Sequence, residues 1–137
     1  MGFNFTKISV EKLSEDFKDL KISTNVDIAE IDKVNAEFFK GKEELVGVKF
    51  SYKVEYDPLI ANIEIKGAVL LALEPKQAKE VLKRWKDKQI PEDFKMFLFN
   101  FILRKSNIKA IQLEDEMNLP LHIPLPRVSK QQEQPKE

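Results

Sequence analysis

A strict two-residue alternation in the middle of the chain constrains its fold more than any other feature. From Val46 to Tyr56 every second residue is apolar or aromatic, and the residues between them are Gly47, Lys49, Ser51, Lys53 and Glu55. This period predicts a β-strand with one face in the core and the other in water. Asp57-Pro58 is a turn signal, and the alternation resumes after it. Residues 45–57 and 59–73 are therefore predicted to form an antiparallel hairpin.

Two weaker strand patterns precede this hairpin, at Phe3–Val10 and Leu20–Ile28. The segment from Glu30 to Glu44 fits a loop, a short helix or an edge strand equally well, and the choice stays open. Gly67 interrupts the second arm of the hairpin, where glycine marks either a bulge or a close backbone approach. We favour the bulge.

The second half of the chain has helical patterns. Pro75 suits a first helical turn, and a helix is predicted from there to about Lys88. A second helix is predicted from Pro91 to about Asn118, followed by a proline-rich extended segment at 119–128. The predicted fold is α+β: an antiparallel sheet from the first half covered by two helices from the second half. We expect one domain, residues 1–128, and a disordered polar tail, residues 129–137.

Composition narrows the functional classes. Lysine plus arginine and aspartate plus glutamate number 23 each, so no global charge attracts the chain to nucleic acid or to an anionic membrane. The chain has no cysteine, which excludes thiol catalysis and disulfides and suits the cytoplasm. From these residues we expect no signal peptide and no membrane-inserting segment. The sequence contains no glycine-rich phosphate loop and no metal-binding histidine pair, so we expect no cofactor, no metal and no enzymatic activity. An enzyme with dispersed catalytic residues remains an alternative.

Two apolar stripes lie on opposite sides of the predicted second helix. One, which we expect in the core, consists of Phe94, Phe97, Leu98, Phe101 and Ile102. The other consists of Met96, Phe99 and Leu103. It could be covered by another part of the chain, by a second copy, or by a client or ligand. Met96, Phe99 and Leu103 are therefore the candidate residues for self-association or client binding, and a homo-oligomer is expected.

Charged residues give three further hypotheses. The first predicted helix carries a basic stripe of candidate phosphate contacts, Lys76, Lys79, Lys83 and Lys86, although a solvated lysine face is the commoner explanation. His122 is the single histidine. A general base there is conceivable, but we favour a partly exposed side chain on an extended segment. The acidic cluster of Glu114, Asp115 and Glu116 is interpreted as solvated.

The order of elements resembles the SecB export chaperones and their archaeal SecB-like relatives. The likeness rests on the Lys7–Ser9 segment, the Val46–Leu73 hairpin, and a long apolar helix followed by Pro120, Pro124 and Pro126. It implies tetramers that hold extended unfolded clients in apolar grooves. The balanced charge departs from the acidic bacterial protein, so an acidic docking surface for the translocation motor is not located here.

The leading interpretation is thus a non-enzymatic binding protein, in the form of a chaperone-like holdase that takes unfolded polypeptides or a partner protein in apolar grooves. The alternative is a ribosome- or RNA-associated protein that uses the lysine stripe.

Overall fold

The computed structural model describes residues 2–35 and 41–128. Its elements in chain order are β1 (Gly2–Lys12), β2 (Lys21–Val34), β3 (Glu44–Asp57), β4 (Ala61–Leu73), α1 (Pro75–Trp85) and α2 (Glu92–Glu116). The strands form one sheet in the order β1-β4-β3-β2, and every neighbouring pair is antiparallel. This confirms the predicted α+β class with an antiparallel sheet from the first half and two helices from the second.

The predicted hairpin forms the centre of the sheet. β3 and β4 pair without a break in register, with Val48 opposite Val69 and Val54 opposite Ile63. The alternating apolar residues of β3 are all buried, as the pattern predicted. The β1–β2 connection passes the tip of this hairpin, where Leu13 N–H and Ser14 N–H donate to the Ile60 carbonyl at 2.7 and 3.2 Å.

Gly67 sits at a close backbone approach and also beside a bulge, although the extra residue of that bulge is in β1 and not in β4. A Cβ at this position would lie 2.6 Å from the Asn4 carbonyl oxygen and 2.8 Å from Cζ of Phe50. The register shift lies in the neighbouring strand β1, between Phe5 and Lys7, while β4 runs evenly against β3. The glycine is needed because the Phe50 ring and the β1 backbone occupy the space of a side chain.

Both helices lie on the core face of the sheet, and their bounds agree with the sequence patterns. α2 is continuous through Ser106 and Asn107, where the sequence suggested a weak point. Its buried positions recur every fourth residue: Phe94, Leu98, Ile102, Ser106, Ala110 and Glu114. Phe97 was assigned to the core stripe, yet it is 48% exposed, because the buried line follows the four-residue ridge rather than the wider stripe.

Two segments left open by the sequence are now partly defined. β2 continues to Val34, so the start of the ambiguous Glu30–Glu44 segment is edge strand. Residues 36–40 lie outside the described residues, as does the tail at 129–137 that was predicted to be disordered. The one-domain division at residue 128 therefore stays a prediction.

Candidate functional site

The sheet has one face that neither helix covers, and this open face is apolar at one end. Cross-strand partners share a face, so Gly47 and Leu70, which are opposite each other, lie on the side away from Val46 and Val48. A trough of about 530 Å³ crosses all four strands here and is lined almost entirely by carbon. We call it the apolar trough and define it by Val34, Gly47, Ala68 and Leu70.

Small side chains make the trough a depression. Gly47 contributes no side chain, and an added Cβ there would lie 3.0 Å from Cγ2 of Val34. Ala68 adds one methyl group, while Leu70 rises beside them and is 38% exposed. A contiguous apolar surface that a folded chain leaves uncovered often marks an interaction site.

Sequence reasoning missed this trough because it took the second face of the hairpin to be wet. The signal that could have found it is the run from Gly67 to Leu73, which contains no polar residue. A strand with apolar residues on both faces has two surfaces to cover. The helices cover only one of them.

A polar recess continues the open face towards the other end of the sheet. It has a volume of about 500 Å³ and shares Lys49 and Ala68 with the apolar trough. We call it the lysine recess, because Lys49, Lys53 and Lys66 line it together with the single carboxylate Glu64. Glu64 accepts a hydrogen bond from Lys7 Nζ at 2.6 Å.

The predicted apolar stripe on α2 is split between surface and interior. Met96 is 60% exposed, whereas Phe99 and Leu103 are partly buried against the core. Phe99 also lines a cavity of about 620 Å³ with Trp85 and Lys95, where the C-terminal end of α1 meets the start of α2. The stripe is thus brought together with α1, and its role in self-association or client binding stays a prediction.

All four lysines of the predicted phosphate stripe, Lys76, Lys79, Lys83 and Lys86, are exposed at α1. Their neighbour Glu80 lies on the same helix, with its carboxylate 3.8 Å from the Arg84 guanidinium. The structure records no aromatic ring stacked beside these four lysines within the part of the chain it describes. Phosphate binding by this stripe therefore also stays a prediction.

His122 and Glu114 correct the sequence interpretation, since both were placed at the surface. Their side chains are 2% and 0% exposed, and His122 Nδ1 lies 2.7 Å from Glu114 Oε2. The His122 backbone N–H donates to Glu114 Oε1 at 3.2 Å. The pairing was missed because the two residues are eight positions apart, and only the return of the chain after α2 brings them together.

Two further side chains complete a buried polar cluster, which we call the tail anchor: Tyr52, Asn107, Glu114 and His122. The Tyr52 hydroxyl donates to Asn107 Oδ1 at 2.6 Å and lies 2.9 Å from His122 Nε2. Four residues further along β3, the Tyr56 hydroxyl donates to the Pro120 carbonyl at 2.6 Å. Burial and the nearby Glu114 carboxylate raise the pKa of Tyr52 well above its usual range. The cluster fastens the proline-rich segment to β3 and α2, and its imidazole is out of reach of a substrate.

Two classes of site are not found in the described part of the chain. Across residues 2–35 and 41–128, no group of three or more His, Asp or Glu side chains is arranged to hold a metal ion. In the same ranges, no helix is both long enough and apolar enough to cross a membrane.

Comparisons with known proteins give one structural likeness. No protein-family model matches the chain, and no curated protein matches it significantly. A solved structure similar to this chain is the SecB-like chaperone Rv1957 of Mycobacterium tuberculosis, in complex with a ChAD peptide from the Rv1956 HigA1 antitoxin. The alignment covers 95% of this chain and 89% of that one, with 11% sequence identity and a TM-score of 0.49.

Proposed function

We propose that this chain is a non-enzymatic, chaperone-like holdase that binds extended apolar segments of other polypeptides on the open face of its sheet. The observation that carries the proposal is the apolar trough, which lies on the side of the sheet that the helices leave uncovered. The volume of about 530 Å³ is within the range of about 300–1,000 Å³ typical of ligand sites.

The shape of the open face favours an elongated occupant. The apolar trough is open to solvent and adjoins the lysine recess, with which it shares Lys49 and Ala68. A compact small molecule is held by walls on most sides. An extended chain needs only a floor that accepts every second side chain, because its own side chains alternate.

β1 adds a second means of holding an extended chain. It is an edge strand, and its first residues, Gly2 and Asn4, line the apolar trough. The free side of an edge strand presents unpaired N–H and C=O groups, which an incoming strand can satisfy. Backbone hydrogen bonds and apolar burial both depend little on the sequence of the client. A holdase needs this low specificity because its clients differ in sequence.

Binding of this kind is passive. Affinity would come from apolar burial at about 25 cal/mol per Å². The sequence has no phosphate loop through which nucleotide hydrolysis could drive release. Client exchange would therefore follow mass action alone.

The test is binding of a fluorescent, permanently unfolded polypeptide, together with suppression of its aggregation. Leu70→Glu should weaken binding at least about tenfold, since burial of a leucine side chain is worth about 1.5–3 kcal/mol. Leu59→Glu is the matched control, because Leu59 is 82% exposed at the β3–β4 turn, away from the apolar trough. Equal binding by the two variants would contradict the proposed surface. Salt-sensitive binding of a short structured RNA with no polypeptide binding would support the RNA-associated alternative instead.

A further inference from the structure

The lysine recess lies at a fixed distance from the apolar trough along the same two strands. Gly47 is opposite Leu70, and Lys53 is opposite Glu64, all in one unbroken register. Lys53 lies six positions after Gly47, which corresponds to about 20 Å along a strand. An extended peptide of about seven residues that lies along β3 and β4 would reach from one to the other.

The charges along this path are unequal. Three lysines line the recess against the single carboxylate Glu64, so the recess is positive. Glu64 is already engaged by Lys7, at 2.6 Å. Lys53 Nζ is farther from it, at 3.8 Å, and Lys49 Nζ is 3.5 Å from Glu30 on β2.

The lysines also act on Glu64. The hydrogen bond from Lys7 lowers the pKa of the Glu64 carboxyl below its usual value, and the charges of Lys66 and Lys53 lower it further. At the opposite end, Lys49 and Asp32 both line the apolar trough, so that end carries one charge of each sign.

From this juxtaposition we propose a sequence preference for the occupant: a peptide whose apolar residues fill the apolar trough and whose acidic residues, about four to six positions along, meet Lys66 and Lys53. The inference rests on the proposed function and adds to it which end of the bound peptide is apolar and which end is acidic. Lys53 and Lys66 line the recess but not the apolar trough, so the two ends of the occupant are not interchangeable.

The test uses synthetic fluorescent peptides of ten residues. One carries four apolar residues at one end and three glutamates at the other, and its counterpart has lysines in place of the glutamates. Both chain directions are made, since the surface can accept either. The acidic peptide should bind about tenfold tighter than the lysine peptide at low salt, because several exposed ion pairs add together. The ratio should shrink as salt screens the charges.

Charge reversal on the protein gives the reciprocal test. Lys53→Glu combined with Lys66→Glu should invert the preference towards the lysine peptide, and the milder Lys53→Gln with Lys66→Gln should abolish it. Lys79→Glu with Lys83→Glu makes the same change in net charge on α1 and should leave the preference intact. Thermal unfolding of each variant confirms that it folds.

The outcomes separate the two proposals. Equal binding of the acidic and lysine peptides would overturn the acidic preference and leave the proposed polypeptide binding intact. If neither peptide binds, both proposals fail. A long-chain fatty acid that binds with the same lysine dependence, while the acidic peptide does not, would also overturn the inference, since the surface would then hold a lipid anion.

Discussion

The Nδ1 atom of His122 lies 2.7 Å from the Oε2 atom of Glu114, inside a shell that leaves both side chains almost without solvent contact. An ionised carboxylate only accepts hydrogen bonds, so Nδ1 must then carry a proton. On the other side of the ring, Nε2 faces Asn107 Oδ1 at 3.1 Å and the Tyr52 hydroxyl at 2.9 Å. The Tyr52 proton is directed to Asn107, so the four side chains form one buried hydrogen-bonded cluster.

Glu114→Gln should lower the free energy of unfolding by about 1–3 kcal/mol, because the glutamine amide nitrogen cannot accept a hydrogen bond and one of the two His122 contacts loses its acceptor. Chemical denaturation at neutral pH measures this loss. Asp115→Asn is the matched control: the next residue is exposed, and its neutralisation should cost less than about 0.5 kcal/mol. Similar losses in both variants would contradict a structural role for the tail anchor.

The tyrosine titration should be displaced to high pH. Burial raises the pKa of Tyr52 and Tyr56 above that of a free phenol, and contacts with Glu114 add to the effect. Below pH 10 both rings are protonated whether the chain is folded or unfolded, so their contribution to stability is fully present there. As pH rises further, the unfolded chain ionises first, and stability falls by up to about 1.4 kcal/mol per pH unit for each ring.

Absorbance at 295 nm in rising pH tests this displacement. The chain has two tyrosines, both of them in this pair. No phenolate signal should form until the protein unfolds, and the two events should coincide. A signal that develops near pH 10 in protein that remains folded would contradict the burial.

Two C-terminal truncations should differ in stability. Removal of residues 119–137 deletes Leu119, which is 5% exposed, together with His122 and the Pro120 carbonyl that accepts from Tyr56. The loss should be at least about 3 kcal/mol, because an apolar side chain and several buried polar groups lose their partners. Removal of residues 129–137 alone should change stability by less than about 0.5 kcal/mol. Equal melting temperatures would show that the proline-rich segment does not stabilise the fold.

Gly67→Ala should destabilise the chain by about 1–3 kcal/mol, since the new methyl group would overlap the Asn4 carbonyl and the Phe50 ring. Gly47→Ala is the informative comparison, because the short contact of its Cβ is with a methyl group of Val34, at 3.0 Å, and the Asp32 carbonyl oxygen is 4.0 Å away. Gly47→Ala should therefore lower the free energy of unfolding by less than Gly67→Ala does. Thermal unfolding of the two variants ranks them, and the reverse order would contradict the close approach at Gly67.

Self-association through the outer side of α2 remains a prediction of the sequence, and the structure indicates how to test it. Charged substitutions of Phe99 or Leu103 would disturb the core as well as the surface, because both side chains are partly buried. Met96→Glu changes the exposed member of the predicted stripe instead. This variant should be a folded monomer by light scattering at concentrations where the unsubstituted chain is larger. A monomeric unsubstituted chain at high micromolar concentration would contradict the prediction.

The sequence predicted the elements well because each signal is local. The alternation from Val46 to Tyr56 and the prolines at 75 and 91 depend on near neighbours, and the strands and helices follow them. Contacts between distant residues were not accessible in this way. The contact between His122 and Glu114 forms because the chain turns back towards β3 after α2. The reason for a glycine at position 67 depends on the position of the Asn4 carbonyl, which belongs to another strand.

The candidate site was predicted only in part for a related reason. Periodicity identifies which residues share a face, but it does not show which face another element covers. The apolar character of Ala68 and Leu70 was readable in the sequence. That they face away from both helices depends on the packing of α1 and α2, which no local pattern records.

The pairing of β1 with β4 also has a consequence for how the chain matures on the ribosome. β2, β3 and β4 are neighbours in the sheet in the order of the chain, but Phe3 of β1 pairs with Val69 of β4. β1 therefore cannot pair until β4 has been synthesised. Contacts with this long separation in sequence form late, because a large loop must close first. We expect the nascent chain to display Phe3, Phe5 and Val10 without a partner until residue 70 has left the exit tunnel. During its synthesis this chain would thus itself expose an unpaired apolar segment, of the kind that it is proposed to bind in other proteins.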